Sequence, residues 1–334
     1  MSRVRSLILL LTGVTIVLLM VHLVGTGDVI EVLRKADPLF FGIAVVFQFA
    51  ALTLWAVRWK ILLRSFQPVA LRNALKGILI GLFFNNITPV ARAGGEPFRA
   101  YYIERRETID FEDAFAAVAI DRVLDSLPFM AIIAFSLLYF IFILEISFEM
   151  IIFLSLAFIF NVVLLSLVLY FSFSLGAAKK LMFSILRFVS RFSNRLQEYE
   201  SQVEEAVEQY HTAVKMLSSR KRDLAVSLAI SFVFWFLAIL RNYLVVMALG
   251  YHVNFMAIVV VQTVGTLAGV LPILPGGLGS IDGIMVFLYL SFNFPAVLAV
   301  TASLLDRFIS FWITTAVGGA CVFVERDFLK NEST

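Results

Sequence analysis

The chain has 334 residues, 61% of them apolar and only 15% charged, and a mean hydropathy of +0.94. Soluble domains carry about 25% charged residues, so this composition excludes a soluble enzyme and a disordered protein. Its apolar runs are continuous, not alternating, which argues against a β-barrel.

A helix needs about 20 apolar residues to cross a hydrocarbon core. The first run, Leu7–Val24, follows a basic start and has no small-residue cleavage site behind it, so it is expected to be a retained signal-anchor helix. Leu39–Val57 is the second span, followed by a basic, amphipathic, interfacial segment from Arg58 to Lys76. Ala114–Leu144 is a long helix with Asp121, Arg122 and Asp125 near its start. Met150–Leu175 carries no charge, Leu224–Leu249 contains Arg241 and Asn242, and Pro295–Val324 contains Asp306 and Arg307.

Two apolar pieces break on Pro and Gly: Gly77–Ile87 runs into Pro89, Gly94 and Gly95, and Phe255–Leu271 runs into Pro272, Pro275, Gly276, Gly277 and Gly279. Proline removes a backbone donor and glycine weakens a helix. Non-helical backbone at membrane depth survives only inside protein or beside a wet cavity. The reading is an all-α polytopic membrane protein with six transmembrane helices and two re-entrant helical pairs, eight full spans being the alternative. All of 1–334 forms one integral membrane domain.

With the N-terminus inside, the inner segments hold 22 of the 27 Lys and Arg and the outer loops hold two, Arg34 and Lys35. That asymmetry predicts both termini on the cytoplasmic side of a cell (plasma) membrane. The basic residues then face anionic lipid headgroups, so neither nucleic acid nor the +3 net charge needs a further partner. Residues 176–223 form the one sizeable polar stretch, predicted to be a cytoplasmic amphipathic helical segment. Its apolar stripe follows a heptad (Val189, Leu196, Val203, Tyr210 and Leu217 at one position, Phe192, Tyr199, Ala206 and Ala213 at the other) and either packs on the protein's own inner face or makes a homodimeric coiled coil. One cysteine, Cys321, and three scattered histidines offer no disulfide and no metal-ligand spacing. No cofactor and no metal are expected.

The two Gly-Gly elements are related. Asp121-Arg122 follows Gly95 by 26 residues and Asp306-Arg307 follows Gly277 by 29, each inside an apolar helix. Charges there are rare and costly. Two halves, about 7–144 and 150–324, each have spans, a broken element and a helix bearing Asp-Arg. The first half starts inside and the second outside, which is an inverted-topology repeat with the substrate site expected at its interface.

The runs NNITPVARAGGEPFRAYYIERR, AIDRVLDS and LPILPGGLGSIDG followed by LLDRF resemble the flippase-like integral membrane family, which includes the transmembrane flippase region of lysylphosphatidylglycerol synthase. The resemblance covers nearly the whole chain. It implies movement of a phospholipid or a polyprenyl-phosphate-linked lipid between leaflets, without lipid synthesis, since the soluble aminoacyl-transfer domain of the two-domain synthases has no counterpart in these residues. A separately encoded lipid-synthesising enzyme is an expected partner, with the chain as its non-transporting scaffold in one alternative. A membrane-embedded enzyme on lipid-linked substrates is another, with Asp121, Asp125 and Glu96 as acid–base groups.

The candidate substrate-binding residues follow from these elements. Glu96 and Arg99 share a helix face, either for a headgroup's amine and phosphate or as an ion pair, with Gly94 and Gly95 relieving backbone crowding. Arg92 is a phosphate contact or an interfacial anchor, and Asn86 binds a headgroup or caps a broken helix. Asp121 and Asp125 share a face beside Arg122 and suit proton coupling or pairing with an arginine. In the second half, Asp282, Asp306 and Arg307 are the counterparts, with Gly276, Gly277 and Gly279 admitting close backbone approach. Arg241 completes that site or snorkels outward.

Overall fold

A computed structural model describes residues 3–88, 94–142, 148–190, 200–268 and 274–329. Among them every long element is helical. Helix α1 (Arg3–Val24) ends at Gly25, whose φ of 97° only glycine adopts freely. There the chain bends by 88° into α2 (Thr26–Arg34). Asp37 then starts α3 (Pro38–Leu63): its side chain accepts the Leu39 amide at 2.7 Å, and Pro38 occupies a first-turn position where no amide is needed. Helix α4 (Leu71–Ile87) and α5 (Glu96–Arg106) flank the first Gly-Gly, and the long α6 (Phe111–Phe142) follows. Helix α7 (Phe148–Phe173) turns by 100° into α8 (Leu175–Ser190), which α9 (Glu200–Ser219) packs against.

The second half runs through α10 (Lys221–Ala248), α11 (Phe255–Ala268), a 3₁₀ turn at Pro275–Gly277 and α12 (Ser280–Ser291). Helix α13 (Ala296–Arg307) passes through a π-helical turn, Phe308–Ile313, into α14 (Thr314–Val324). The helices Pro38–Leu63, Lys221–Ala248 and the stretch Ala296–Val324 are each long and apolar enough to cross a membrane, and the two bent pairs raise the number to five if each is one span. The protein is therefore a multi-pass helical membrane protein.

The centre is the α3–α10 pair. Asp37 N–H bonds Ala248 O at 2.7 Å, Gln48 accepts from Arg241, and Arg58 donates to Ser231. As one number rises the other falls, so the pair is antiparallel along its full length. Helices α4 and α5 form a second antiparallel pair, with Gly81 backing on Arg99 and Gly77 on Tyr102. At 11 residues α5 rises only about 16 Å, and the 12 residues of α12 about 18 Å, well short of a membrane crossing.

Two large apolar cores result among the described residues, with two smaller clusters beside them. One joins α3, α4, α5, α6 and α9 around Trp59, Ile80 and Tyr102, and the other joins α10 to α13 around Val260, Leu288 and Tyr289. Ala213, Val214 and Leu217 of α9 sit in the first core, so this part of the predicted stripe is spent on the chain's own packing. The heptad positions Phe192, Leu196 and Tyr199 lie outside the described residues.

The interfacial segment predicted from Arg58 onward is corrected. Helix α3 continues to Leu63, and Arg58 is fully buried. With Arg58 and Arg99 both inside the protein, the basic residues left on the predicted inner segments number 20, still against two.

Candidate functional site

Two clusters of buried charge lie ten residues apart along the α3–α10 pair, one at Arg58–Ser231 and one at Gln48–Arg241. In the first, Asp121 of α6 is fully buried and accepts three donors: Trp55 Nε1 at 2.7 Å, Arg58 Nε at 2.6 Å and Arg99 Nη2 at 3.0 Å. Arg58 continues to Asp125 Oδ1 at 3.1 Å and Ser231 Oγ at 2.6 Å, which ties α3 to α6 and α10 together. Glu96, the first residue of α5, pairs with Arg99 at 2.9 Å and with Arg122, and accepts Asn85 Nδ2 at 3.3 Å. The same Asn85 takes the Gly95 amide at 2.7 Å through its Oδ1. Arg99 lies over the Trp59 ring at 4.8 Å and Arg122 over Trp55 at 5.1 Å. Indole faces are favourable places for guanidinium groups away from water.

In the second cluster, Arg241 of α10 grips Asp306 of α13 with two bonds, 2.8 and 3.0 Å, and donates to Gln48 Oε1 at 2.5 Å. Arg307 donates to the Gly276 carbonyl at 3.0 Å and faces Asp282 at 3.7 Å, beside the Phe311 ring at 4.7 Å. Asp282 in turn accepts the Gly279 amide at 2.8 Å, which fixes the start of α12. Gly276, at φ 56°, has no room for a Cβ against Phe311. The π turn after Arg307 is a local rewinding of the kind frequent at functional positions. It places the Thr314 hydroxyl to accept the Gln48 amide at 3.3 Å while donating to Ile309 O.

The clusters have the same wiring. An arginine from a long central helix, Arg58 or Arg241, binds the aspartate of the Asp-Arg pair, Asp121 or Asp306. The arginine of that pair, Arg122 or Arg307, reaches a carboxylate at the start of the helix after the Gly-Gly, Glu96 or Asp282. Charges balance: Arg58, Arg99 and Arg122 face Glu96, Asp121 and Asp125, while Arg241 and Arg307 face Asp282 and Asp306. Burying so many charges is tolerable only with this degree of pairing.

A cavity of about 510 Å³ lies between the clusters and reaches both. Glu96, Arg122 and Asp125 form its polar wall on one side, and Arg241, Asp306 and Arg307 on the other, with Gln48, Asn85 and Gln262 between them. Trp55, Phe129, Phe234, Trp235 and Leu267 supply apolar lining. Arg122 has the most freedom among the clustered arginines, with 35% of its side chain exposed.

The structure thus brings Glu96, Arg122, Asp125, Arg241, Asp306 and Arg307 to one space. Arg99, Asp121 and Asp282 hold these groups from behind and do not line it. Gly94, Gly95, Gly276, Gly277 and Gly279 shape the two turns without reaching the cavity, and Asn86 is spent on Thr315 at 2.7 Å. Arg92 lies outside the described residues. Arg241 does not snorkel: it is 4% exposed and fully engaged with Asp306 and Gln48. Sequence reasoning missed Arg58, Gln48 and Trp55. The signal for Arg58 was available, since it precedes Glu96 by 38 residues as Arg241 precedes Asp282 by 41.

Among the described residues no three His, Cys, Asp or Glu side chains could hold a metal ion. The fold and the paired charges define a polytopic helical membrane protein with a charge-lined interior cavity. The chain belongs to the family of the lysylphosphatidylglycerol synthase TM region, whose model matches residues 6–318. It is 34% identical over 320 residues to a UPF0104 membrane protein of Methanothermobacter thermautotrophicus, covering 95% of both chains. It is 29% identical over 337 residues to a UPF0104 membrane protein of Pyrococcus horikoshii, covering 98% of this chain and all of that one. A partial similarity, 31% over 119 residues, links 36% of the chain to 19% of the glycosyltransferase AglD of Haloferax volcanii.

Proposed function

We propose that the protein binds a phosphate-bearing lipid headgroup in the central cavity and moves that lipid between leaflets. The carrying observation is that one cavity touches both charge clusters, with Arg122 in one wall and Arg307 in the other. A phosphate entering it finds Arg122 able to let go of Glu96, because Glu96 keeps Arg99 and Asn85 when it does. Exchanging one acceptor for another is cheap compared with exposing an unpaired charge. The ligand is a phospholipid or a polyprenyl-phosphate-linked lipid.

The shared wiring supports reading the halves as an inverted repeat related across the antiparallel α3–α10 pair. In this reading the α4–α5 and α11–α12 pairs are re-entrant, each too short to cross, and both termini face the cytoplasm of a plasma membrane. The cavity then opens alternately past one short pair and the other. A homodimer and a separately encoded lipid synthase are further partners in this proposal. Purified protein in vesicles is expected to accelerate flipping of labelled phosphatidylglycerol or polyprenyl phosphate, and Arg122→Ala and Arg307→Ala to slow it tenfold or more. No acceleration with any lipid class overturns the reading.

The partial similarity to a glycosyltransferase favours one second reading, a membrane-embedded transferase using Glu96 and Asp125 as acid–base groups. Incubation with a polyprenyl phosphate and a nucleotide sugar tests it, and only product formed by the purified chain supports it.

A further inference from the structure

Asn161 is the one amide or charged side chain between Met150 and Leu175. It lines the central cavity, is 6% exposed, and its Oδ1 has no hydrogen-bond partner among the described residues. An amide left so inside a membrane helix costs stability unless something fills the bond. Leu165 and Val168, four and seven residues on, share its face and also line the cavity. The neighbouring stripe, Phe160 and Leu164, does two things at once. Both residues line the cavity and are 40% and 36% exposed, and beside them Ile159, Val163 and Leu167 are exposed without lining it.

The edge of α7 therefore wraps from the interior to the lipid-facing side. Helix α7 rests on α6, α8, α9 and α11, and the cavity separates it from α10, whose Phe234, Trp235 and Ala238 form the opposite wall.

We infer that the α7–α10 seam is the entry for the lipid's chain, and that Asn161 accepts a hydrogen bond from a hydroxyl or ammonium group of its headgroup. This rests on the reading of the ligand as a lipid and narrows it. The preferred substrate carries a hydroxyl- or amine-bearing group on its phosphate, in contrast to a bare phosphomonoester lipid or free phosphate. Arg122 takes the phosphate, and Asn161 reads what the phosphate is attached to.

Tryptophan quenching by brominated acyl chains tests the seam. Trp55, Trp59 and Trp235 are buried and Trp312 is 48% exposed, so Trp312→Phe protein reports chains that enter. In vesicles containing brominated phosphatidylglycerol its emission should fall, and Ala238→Phe, which fills the seam, should reduce the quenching at least twofold. No quenching, quenching unchanged by Ala238→Phe, or quenching relieved equally by inorganic phosphate each overturns the proposal.

Asn161→Leu separates a reading role from a structural one. It should keep or raise Tm, because it removes an unfilled bond, and should lose a roughly tenfold preference for brominated phosphatidylglycerol over brominated phosphatidic acid. A lowered Tm with the preference intact contradicts the assignment. Seam-dependent quenching without flipping would overturn transport and leave this site standing. Flipping that Ala238→Phe does not affect, with unchanged quenching, would do the reverse.

Discussion

Asp121 has no exposure and three donors around it, so each donor's removal leaves a charge in a place that cannot solvate it. Breaking a buried pair by deleting one partner costs about 3–5 kcal/mol. Arg58→Ala is expected to lose stability of that order, read as a lowered Tm in detergent, because Asp121, Asp125 and Ser231 all lose a donor. Arg58→Lys should recover less than half of the loss, since one ammonium cannot span three acceptors on two helices as a guanidinium fork does. A full rescue by lysine would show that charge alone matters at this position. The corresponding pair behaves differently when both members go. Arg241→Met with Asp306→Leu should be closer to wild type in thermal melts than either single change, while losing whatever the second cluster contributes to ligand binding. The Asp-Arg dipeptides were legible in the sequence because charge inside an apolar run stands out. Arg58 was masked, because a run that ends in Arg-Trp-Lys reads as a helix leaving the membrane; its spacing to Glu96, matched by that of Arg241 to Asp282, was the one signal against that reading, and the fold shows that α3 stays buried for another turn.

At the scale of elements, the short helix pairs depend on backbone proximity. A Cβ on Gly95 would overlap the Gly81 carbonyl oxygen, whereas one on Gly42 meets nothing within 4 Å. Gly95→Ala should therefore cost about 1–3 kcal/mol and displace Glu96, while Gly42→Ala should be neutral or slightly stabilising. Thermal melts of the two variants side by side check this, and equal effects would contradict the α4–α5 geometry. Helix α14 crosses α4 in the same way, with Gly318 against the Leu79 carbonyl. Just past α14, Glu325 binds Lys76 of α4 and Arg106 of α5 at 2.6 Å. The Lys76 hydrogen bond, helped by Arg106, holds its carboxyl below the ordinary 4.5 against the opposing pull of burial. A carboxylate depressed in the folded state stabilises above its unfolded pKa and loses that contribution as pH falls through the folded value. The Tm difference between wild type and Glu325→Gln should accordingly be widest near pH 7 and shrink below about pH 4.5. A gap that stays constant with pH would mean the contact is steric.

For the whole molecule, composition and the Pro/Gly breaks were enough to read a helical multi-pass membrane protein, and the sequence motifs were enough to read its family. What they did not show is which of the charged residues meet. Spacing along the chain placed Glu96 with Arg99, but the exposed partner of Glu96 is Arg122, 26 residues away, and the cavity that collects both clusters arises from the packing of α3, α6, α10 and α13. Asn161 carried no motif at all and is distinguished only by facing that cavity from a stretch with no other amide or charged side chain. In the proposed reading this one space holds a lipid headgroup between Arg122 and Arg307. Mass spectrometry of lipid retained by protein purified in mild detergent tests it most directly, with wild type beside Arg122→Ala and Arg307→Ala. One phosphate-bearing lipid should be enriched over its abundance in the source membrane, and reduced at least fivefold in either variant. Retention of the same unselected mixture by all three proteins would contradict it and leave the two clusters as structural ion pairs.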